Sequence, residues 1–196
     1  MRPASAYRMV EMTNSELVLI TGARQVGKST ACLQAVELMR DLGLEVAGLL
    51  TRRTGPHDLT VLELHTGEAY PLTLPFDAEG NRSSMNFRMN THAFSHSLQA
   101  LTNCFPTEVV IVDELGPLEF KRREGWVQAL ELLQSEPYTI GFVVVRPELL
   151  GQAVEELHRP RYTVIRVDQD GRDRIPEMLA ATAQAAVIRS QGTKEA

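Results

Sequence analysis

The chain is poor in the residues that build disulfide scaffolds and metal cages. Its 196 residues include two cysteines, Cys32 and Cys104, both in apolar surroundings and without the close spacing of metal ligands. They read as reduced, buried thiols, which suits a cytoplasmic setting. No apolar run is long enough to cross a bilayer, so no membrane partner is expected, and the first residues lack the charged-then-apolar order of a secretory leader. An excess of positive charge is missing too: 20 Lys and Arg stand against 25 Asp and Glu, a net charge of −5. That balance argues against nucleic acid as a partner. The single tryptophan, Trp126, lies on an apolar helical face and reads as a core anchor rather than a base-stacking platform. No internal repeat or low-complexity segment occurs. What remains is an ordinary globular composition, long enough for one domain with a sizeable core.

Against that background one stretch stands out. Leu17-Val18-Leu19-Ile20-Thr21 is an apolar run rich in β-branched residues. Gly22-Ala23-Arg24-Gln25-Val26-Gly27-Lys28-Ser29-Thr30 follows at once, and an apolar-periodic helix continues from there. The order strand, Gly-x-x-x-x-Gly-Lys-Ser, helix defines a phosphate-binding P-loop. Gly22 and Gly27 let the backbone turn tightly, so that successive N–H groups point inward at phosphate oxygens. The helix adds its unpaired N–H groups and positive dipole end. Lys28 is placed to reach the β- and γ-phosphates, Ser29 to ligate Mg²⁺, and Thr30 to hydrogen-bond the α-phosphate. A bound nucleoside triphosphate such as ATP or GTP is the expectation.

Residues 1–15 read as an arm, 16–190 as the domain and 191–196 as a polar tail. Strands are expected at 16–21, 45–50, 108–112, 138–145 and 162–167. The first four are almost wholly apolar, as strands covered on both faces of a parallel sheet must be. Helices are expected at 28–42, stopped by Gly43; at 92–101, capped by Thr91; and at 123–134, 147–157 and 173–189. The alternation breaks once. Segments 59–65 and 69–74 flank His65-Thr66-Gly67-Glu68, a hairpin turn, and 75–90 is loop-like, giving an insertion over about 57–90. The fold class is α/β: a three-layer P-loop domain with a mostly parallel sheet and an inserted β-hairpin.

In an open parallel sheet, ligands gather at the carboxyl ends of the strands. The run Val109-Val110-Ile111-Val112 delivers Asp113 to that edge, the Walker B pattern of a carboxylate in the Mg²⁺ shell. Glu114 is placed to orient or deprotonate an attacking water. The P-loop residues, Gly48-Leu49-Leu50-Thr51 and Asp113-Glu114-Leu115-Gly116-Pro117-Leu118-Glu119 occur in an order and at spacings that resemble the small cancer-related nucleoside-triphosphatase family. The segment from Asn90 to Phe94 is a weaker match, and Arg172-Asp173-x-Ile175-Pro176 resembles a further family segment near the C-terminus. The resemblance runs from about residue 16 to 188, and its most specific part is the Walker B extension through Glu119. It implies a RecA-like core and Mg²⁺-dependent hydrolysis of several triphosphates to diphosphate and phosphate, with weak base selectivity; slow turnover is expected because no arginine is assured at the phosphates. Carried over by position, Lys28, Ser29 and Asp113 serve phosphate and metal, Glu114 serves the water, and Arg172 joins the nucleotide-binding set. Two departures stand out: Arg24-Gln25 replaces a usual Pro-Gly, and Arg52-Arg53 follow Thr51 where acids are common.

Other residues carry weaker signals. Arg146, directly after the strand at 138–145, and Arg159, Arg161 and Arg172 are candidates for the arginine that stabilises charge in phosphoryl transfer. No spacing singles one out. His92 and His96, at i,i+4, lack a third metal ligand and read as a solvated helix face. Lys121-Arg122-Arg123 reads as a solvated helix start. Rival functions are a signalling GTPase, for which the guanine-reading Asn/Thr-Lys-x-Asp is absent, and a nucleotide or small-molecule kinase using 57–90 as a lid. A partner-dependent ATPase or switch module, with a protein partner or a homo-oligomer, also stays open.

Overall fold

A computed structural model describes residues 15–55, 58–74, 88–158 and 161–194. The first strand, β1 (Glu16–Thr21), leads through the P-loop into α1 (Lys28–Asp41) and then β2 (Val46–Arg53). A hairpin of β3 (Leu59–Glu63) and β4 (Ala69–Pro71) follows, then a two-stranded ribbon of β5 (Thr73–Leu74) and β6 (Arg88–Met89). The remainder alternates: α2 (Thr91–Asn103), β7 (Thr107–Leu115), the short α3 (Pro117–Phe120), α4 (Val127–Ser135) and β8 (Tyr138–Val145). A 3₁₀ turn at Pro147–Leu149 opens α5 (Leu150–Leu157), and β9 (Tyr162–Arg166) and a second 3₁₀ turn at Arg172–Arg174 precede α6 (Ile175–Lys194).

Seven strands form one sheet in the order β4-β3-β2-β7-β8-β1-β9. The five strands from β2 to β9 run parallel, and β3 and β4 add antiparallel. One strand, β8, thus stands between the P-loop strand and the acidic strand β7, the RecA-like arrangement. Alternation within each strand builds two cores. Leu17 and Leu19 pack with α2, α4 and α5 on one face. Val18 and Ile20 pack with α1 and α6 on the other. Both faces being covered explains why these strands read as unbroken apolar runs. The three layers expected from the sequence are present.

The inserted hairpin joins the main sheet. It pairs with β2 in register, Leu50 opposite Leu62 and Thr51 opposite Val61, and so extends the main sheet by two strands. The expected loop at 75–90 lies mostly outside the described residues. Several element ends differ from the sequence reading. Asn90, not Thr91, caps α2, its side chain accepting from the Ala93 N–H at 3.2 Å, while Thr91 is already helical. The helix expected from 123 begins at Val127, because Arg123 takes a left-handed φ of 57° and the Trp126 N–H is spent on Glu119. At the other end of the chain α6 continues to Lys194, through residues read as a tail.

Trp126 is a core anchor, as its helical periodicity implied. It is 2% exposed, packs against Phe94 at a ring distance of 5.2 Å, and donates its indole N–H to Ser97 Oγ. Both cysteines are free and buried, and burial raises both thiols, Cys104 to about 12. They are inert packing groups.

Candidate active site

The P-loop backbone takes the shape that its glycines predict. Gly22 and Gly27 adopt φ of 153° and 109°, and Gln25 sits between them at 61°. A Cβ on Gly22 would come within 2.3 Å of the Val167 carbonyl oxygen, so no larger residue fits there. Ala23, Arg24 and Gln25 form the exposed crown of the loop, and Val26 anchors it in the core. Gly27 is the N-cap of α1, yet no side chain caps that helix and its first turn holds no acidic residue. The leading N–H groups and the dipole of α1, including those at Ser29 and Thr30, are thereby left to an anion.

Lys28 is 7% exposed and folds back over the loop, donating to the carbonyls of Gly22 and Ala23 at 2.9 Å each. Its hydrogen bonds among the described residues go to neutral carbonyls, and a phosphate would bring it a counter-charge.

Asp113 and Glu114 emerge at the same edge. Leu50 on β2 faces Asp113, and the pairing of β7 with β8 shifts register between Val112 and Leu115, at these two residues. Asp113 is fully buried, and its Oδ2 accepts from Thr51 Oγ1 at 3.3 Å. Its Oδ1 has no hydrogen-bond partner among the described residues. Burial pushes its carboxyl up to about 7; the Ser29 hydroxyl beside it pulls the value down, and the Glu114 charge pushes it up again. An orphaned buried carboxylate oxygen beside a serine hydroxyl is a hard-oxygen donor set that fits Mg²⁺. Thr21 Oγ1, at the end of β1, is the other buried side-chain oxygen left without a partner among the described residues.

The sign of this shift can be tested. Between the ordinary carboxylate range and pH 7, the folded protein holds a proton on Asp113 that the unfolded chain has lost. Stability without metal should therefore fall as pH rises through that window, by up to about 1.4 kcal/mol per pH unit, and level off above it. Asp113→Asn removes the group, so denaturant melts of both proteins from pH 4 to 8 should show a steeper fall in the wild type, the raised carboxyl of Glu119 contributing equally to both.

Glu114 lies partly open, its side chain 31% exposed, and its Oε1 takes a hydrogen bond from Arg146 Nε at 2.7 Å. Among the described arginines considered from the sequence, Arg146 is the one brought to the acidic pair. Arg172 comes to the P-loop instead: its Cδ would lie 3.7 Å from a Cβ on Gly27. Arg161 falls at the opposite edge of the sheet, where its carbonyl accepts from Leu17 at the start of β1. Arg159 lies outside the described residues. Arg52 and Arg53 end β2 in exposed positions.

Glu119, the last residue of the Walker B extension, turns out to be structural. It is 3% exposed, and its carboxylate accepts from the Gly116 N–H at 2.8 Å and the Trp126 N–H at 3.1 Å. It thus cross-braces the turn that follows the acidic pair. Burial raises its carboxyl above the usual range, and those two N–H groups work against the rise. Two residues of the basic run are paired locally, Arg122 with Glu124 at 2.9 Å and Arg123 with Glu156 at 2.6 Å. His96 does not sit on a bare solvated face; its Nδ1 lies 3.2 Å from buried Glu63 and 3.0 Å from the Tyr70 hydroxyl.

A phosphate loop, a buried acid beside its serine and a second, accessible carboxylate on one sheet edge define a P-loop NTPase of the RecA-like kind. A family model described as NTPase matches residues 17–180. The chain belongs to this NTPase family. Similar curated proteins include the nucleoside-triphosphatase THEP1 of Methanopyrus kandleri, 28% identical over 83% of this chain and 92% of that protein. The protein of the same name from Pyrococcus abyssi is 31% identical over 60% of this chain and 68% of its own length. The crystal structure of THEP1 from Aquifex aeolicus superposes with a TM-score of 0.61 over 83% of this chain and 96% of that one; at 17% identity the likeness speaks for the fold.

Proposed function

We propose that this protein hydrolyses nucleoside triphosphates such as ATP and GTP to diphosphate and phosphate, slowly, with Mg²⁺ and with little regard for the base. The observation that carries the reading is the pairing of the orphaned Asp113 Oδ1 beside Ser29 with a water-accessible Glu114 one residue on. The crown of the P-loop and the first turn of α1 bind the phosphates, with Lys28 supplying positive charge to the β- and γ-groups. Ser29 and Asp113 would hold Mg²⁺, which when bound neutralises charge on the transferring phosphoryl group. Glu114 orients the attacking water and takes its proton as the oxygen–phosphorus bond forms and the bond to the diphosphate breaks. Arg172, beside Gly27, flanks the nucleotide. Weak base selectivity is supported by the lack of a guanine-reading motif and by phosphate contacts that every nucleotide shares. The same names on the archaeal relatives support triphosphate hydrolysis, and the buried thiols support a cytoplasmic setting. No helix among the described residues is long and apolar enough to cross a membrane.

Phosphate release from ATP, GTP, CTP and UTP, with and without Mg²⁺ and with no acceptor added, tests the proposal. Release from all four at rates within about tenfold of each other, lost on chelation, is the expected result. Tight nucleotide binding without release from any would refute hydrolysis and turn attention to an acceptor or an activating partner.

A further inference from the structure

We propose that Arg146 links the presence of a γ-phosphate to the placement of Glu114: its Nε holds the carboxylate, and its terminal amino groups receive the terminal phosphate. This rests on the hydrolase reading above. Arg146 is the first residue after β8, the strand between the P-loop strand β1 and the acidic strand β7. Its guanidinium therefore leaves the sheet edge between the two halves of the site. The contact with Glu114 is one-point, from Nε to Oε1 at 2.7 Å. No described residue accepts from either terminal nitrogen of Arg146, and none donates to Glu114 Oε2. A guanidinium carries five donors in a rigid fork, so one edge can hold a carboxylate while the other meets a phosphate. Glu114 keeps Oε2 for the water.

Exposure agrees with this division. The two side chains are 37% and 31% exposed, so solvent and ligand both reach the pair. An ion pair this open contributes little to stability, and fold maintenance does not account for it. Its value lies in fixing a flexible carboxylate at the site edge. The other placed arginines do not share the geometry: Arg172 lies at the far side of the P-loop, Arg161 at the opposite edge, and Arg52 and Arg53 end β2, on the side of β7 away from β8. An arginine supplied within the chain to the transferring phosphoryl group is worth about 10³–10⁵ in rate. Here the same residue also sets the carboxylate, so both effects vanish together.

The test pairs affinity with turnover. Titration calorimetry gives Kd for ADP and for a non-hydrolysable ATP analogue, with Mg²⁺, in wild type, Arg146→Ala, Arg146→Lys and Glu114→Gln; phosphate release gives kcat and KM. Arg146→Ala should bind ADP within about twofold of wild type yet lose about tenfold of the preference for the triphosphate analogue, and kcat should fall at least about 10²-fold. Arg146→Lys should recover much of the triphosphate preference but little kcat, because one ammonium cannot serve phosphate and Glu114 at once. Glu114→Gln should lose kcat and keep the preference. Loss of kcat in Arg146→Ala with the preference intact would reduce Arg146 to a prop for Glu114 and overturn the proposal. So would wild-type kcat in Arg146→Lys. Arg146→Gln carries the same measurements should the alanine variant not fold. A wild type that releases no phosphate would refute hydrolysis, while the ratio of the two affinities would still decide whether Arg146 meets the γ-phosphate.

Discussion

Lys28→Ala is expected to abolish phosphate release within the range of a sensitive assay, a loss of about 10³-fold or more in kcat/KM. A unit charge about 4 Å from a phosphate oxygen, at the effective dielectric of about 20 that suits a partly open site, is worth about 4 kcal/mol. Each 1.4 kcal/mol is a factor of ten, so the loss approaches three decades even before secondary effects. Those secondary effects go the same way. The ammonium of Lys28 ties the Gly22 and Ala23 carbonyls, so its removal also loosens the turn that aims the backbone N–H groups. Lys28→Met separates the head group from its apolar stem. It keeps the buried stem and the packing of α1 against β1, and removes the ammonium with its charge and its two hydrogen bonds. Both variants should lose triphosphate affinity in titration calorimetry along with turnover, and both should melt near the wild type. Retention of turnover within tenfold in Lys28→Met would mean that phosphate charge is met elsewhere, and the P-loop assignment of this lysine would fall.

The order of elements was legible because the central strands β1, β2, β7 and β8 are buried on both faces. Continuous apolar runs such as Val109 to Val112 can be read without knowing their neighbours, and the P-loop announces its own strand and helix. The P-loop, Asp113 and Glu114 were legible for the same reason: their chemistry is local in sequence. Features that depend on distant partners were not. Nothing near Glu114 points to Arg146, 32 residues on; the pair exists because β8 inserts beside β7. Glu119 entered the sequence reading as the end of the segment that carries the family resemblance, with no role attached, and only the fold shows its carboxylate spent on the Gly116 and Trp126 N–H groups. That bond also explains the late start of α4, which helix periodicity alone placed too early. The hairpin was visible as two strands and a turn, but its docking on β2 is a register property, set by Leu50 opposite Leu62 and its neighbours. The end of α6 was misjudged because Gly192 and the polar residues after Arg189 weaken propensity. Packing of Leu179, Ala183 and Ala186 into the core on the α1 face anchors the helix, and its last turns continue from that anchored stretch.

Glu114→Gln should lower kcat by about 10²–10⁴-fold while leaving KM nearly unchanged, the signature of a group that acts on the water rather than on the bound nucleotide. The substitution is well matched to the geometry. Glutamine has the same length, and its carbonyl oxygen can still accept from Arg146 Nε, so the side chain should stay where the carboxylate lies. What it loses is the charge and basicity of the second oxygen. Phosphoryl transfer proceeds through a loose transition state, in which the nucleophile needs orientation more than early deprotonation. An amide can orient a water only in part, because it presents one acceptor where the carboxylate presents two. A residual rate well above that of free triphosphate in water is therefore expected, carried by Lys28, the P-loop and the metal ligands. Asp113 adds a separate expectation. Removing the Glu114 charge takes away one of the causes that raise the Asp113 carboxyl, so Asp113 should ionise at lower pH in Glu114→Gln. Metal-free melts of the two proteins across pH 4 to 8 should place the onset of the Asp113-linked slope alike, but its plateau should come at lower pH in the variant. Equal kcat in wild type and Glu114→Gln would remove Glu114 from the water-activating role and leave Asp113 as the one acid needed for turnover.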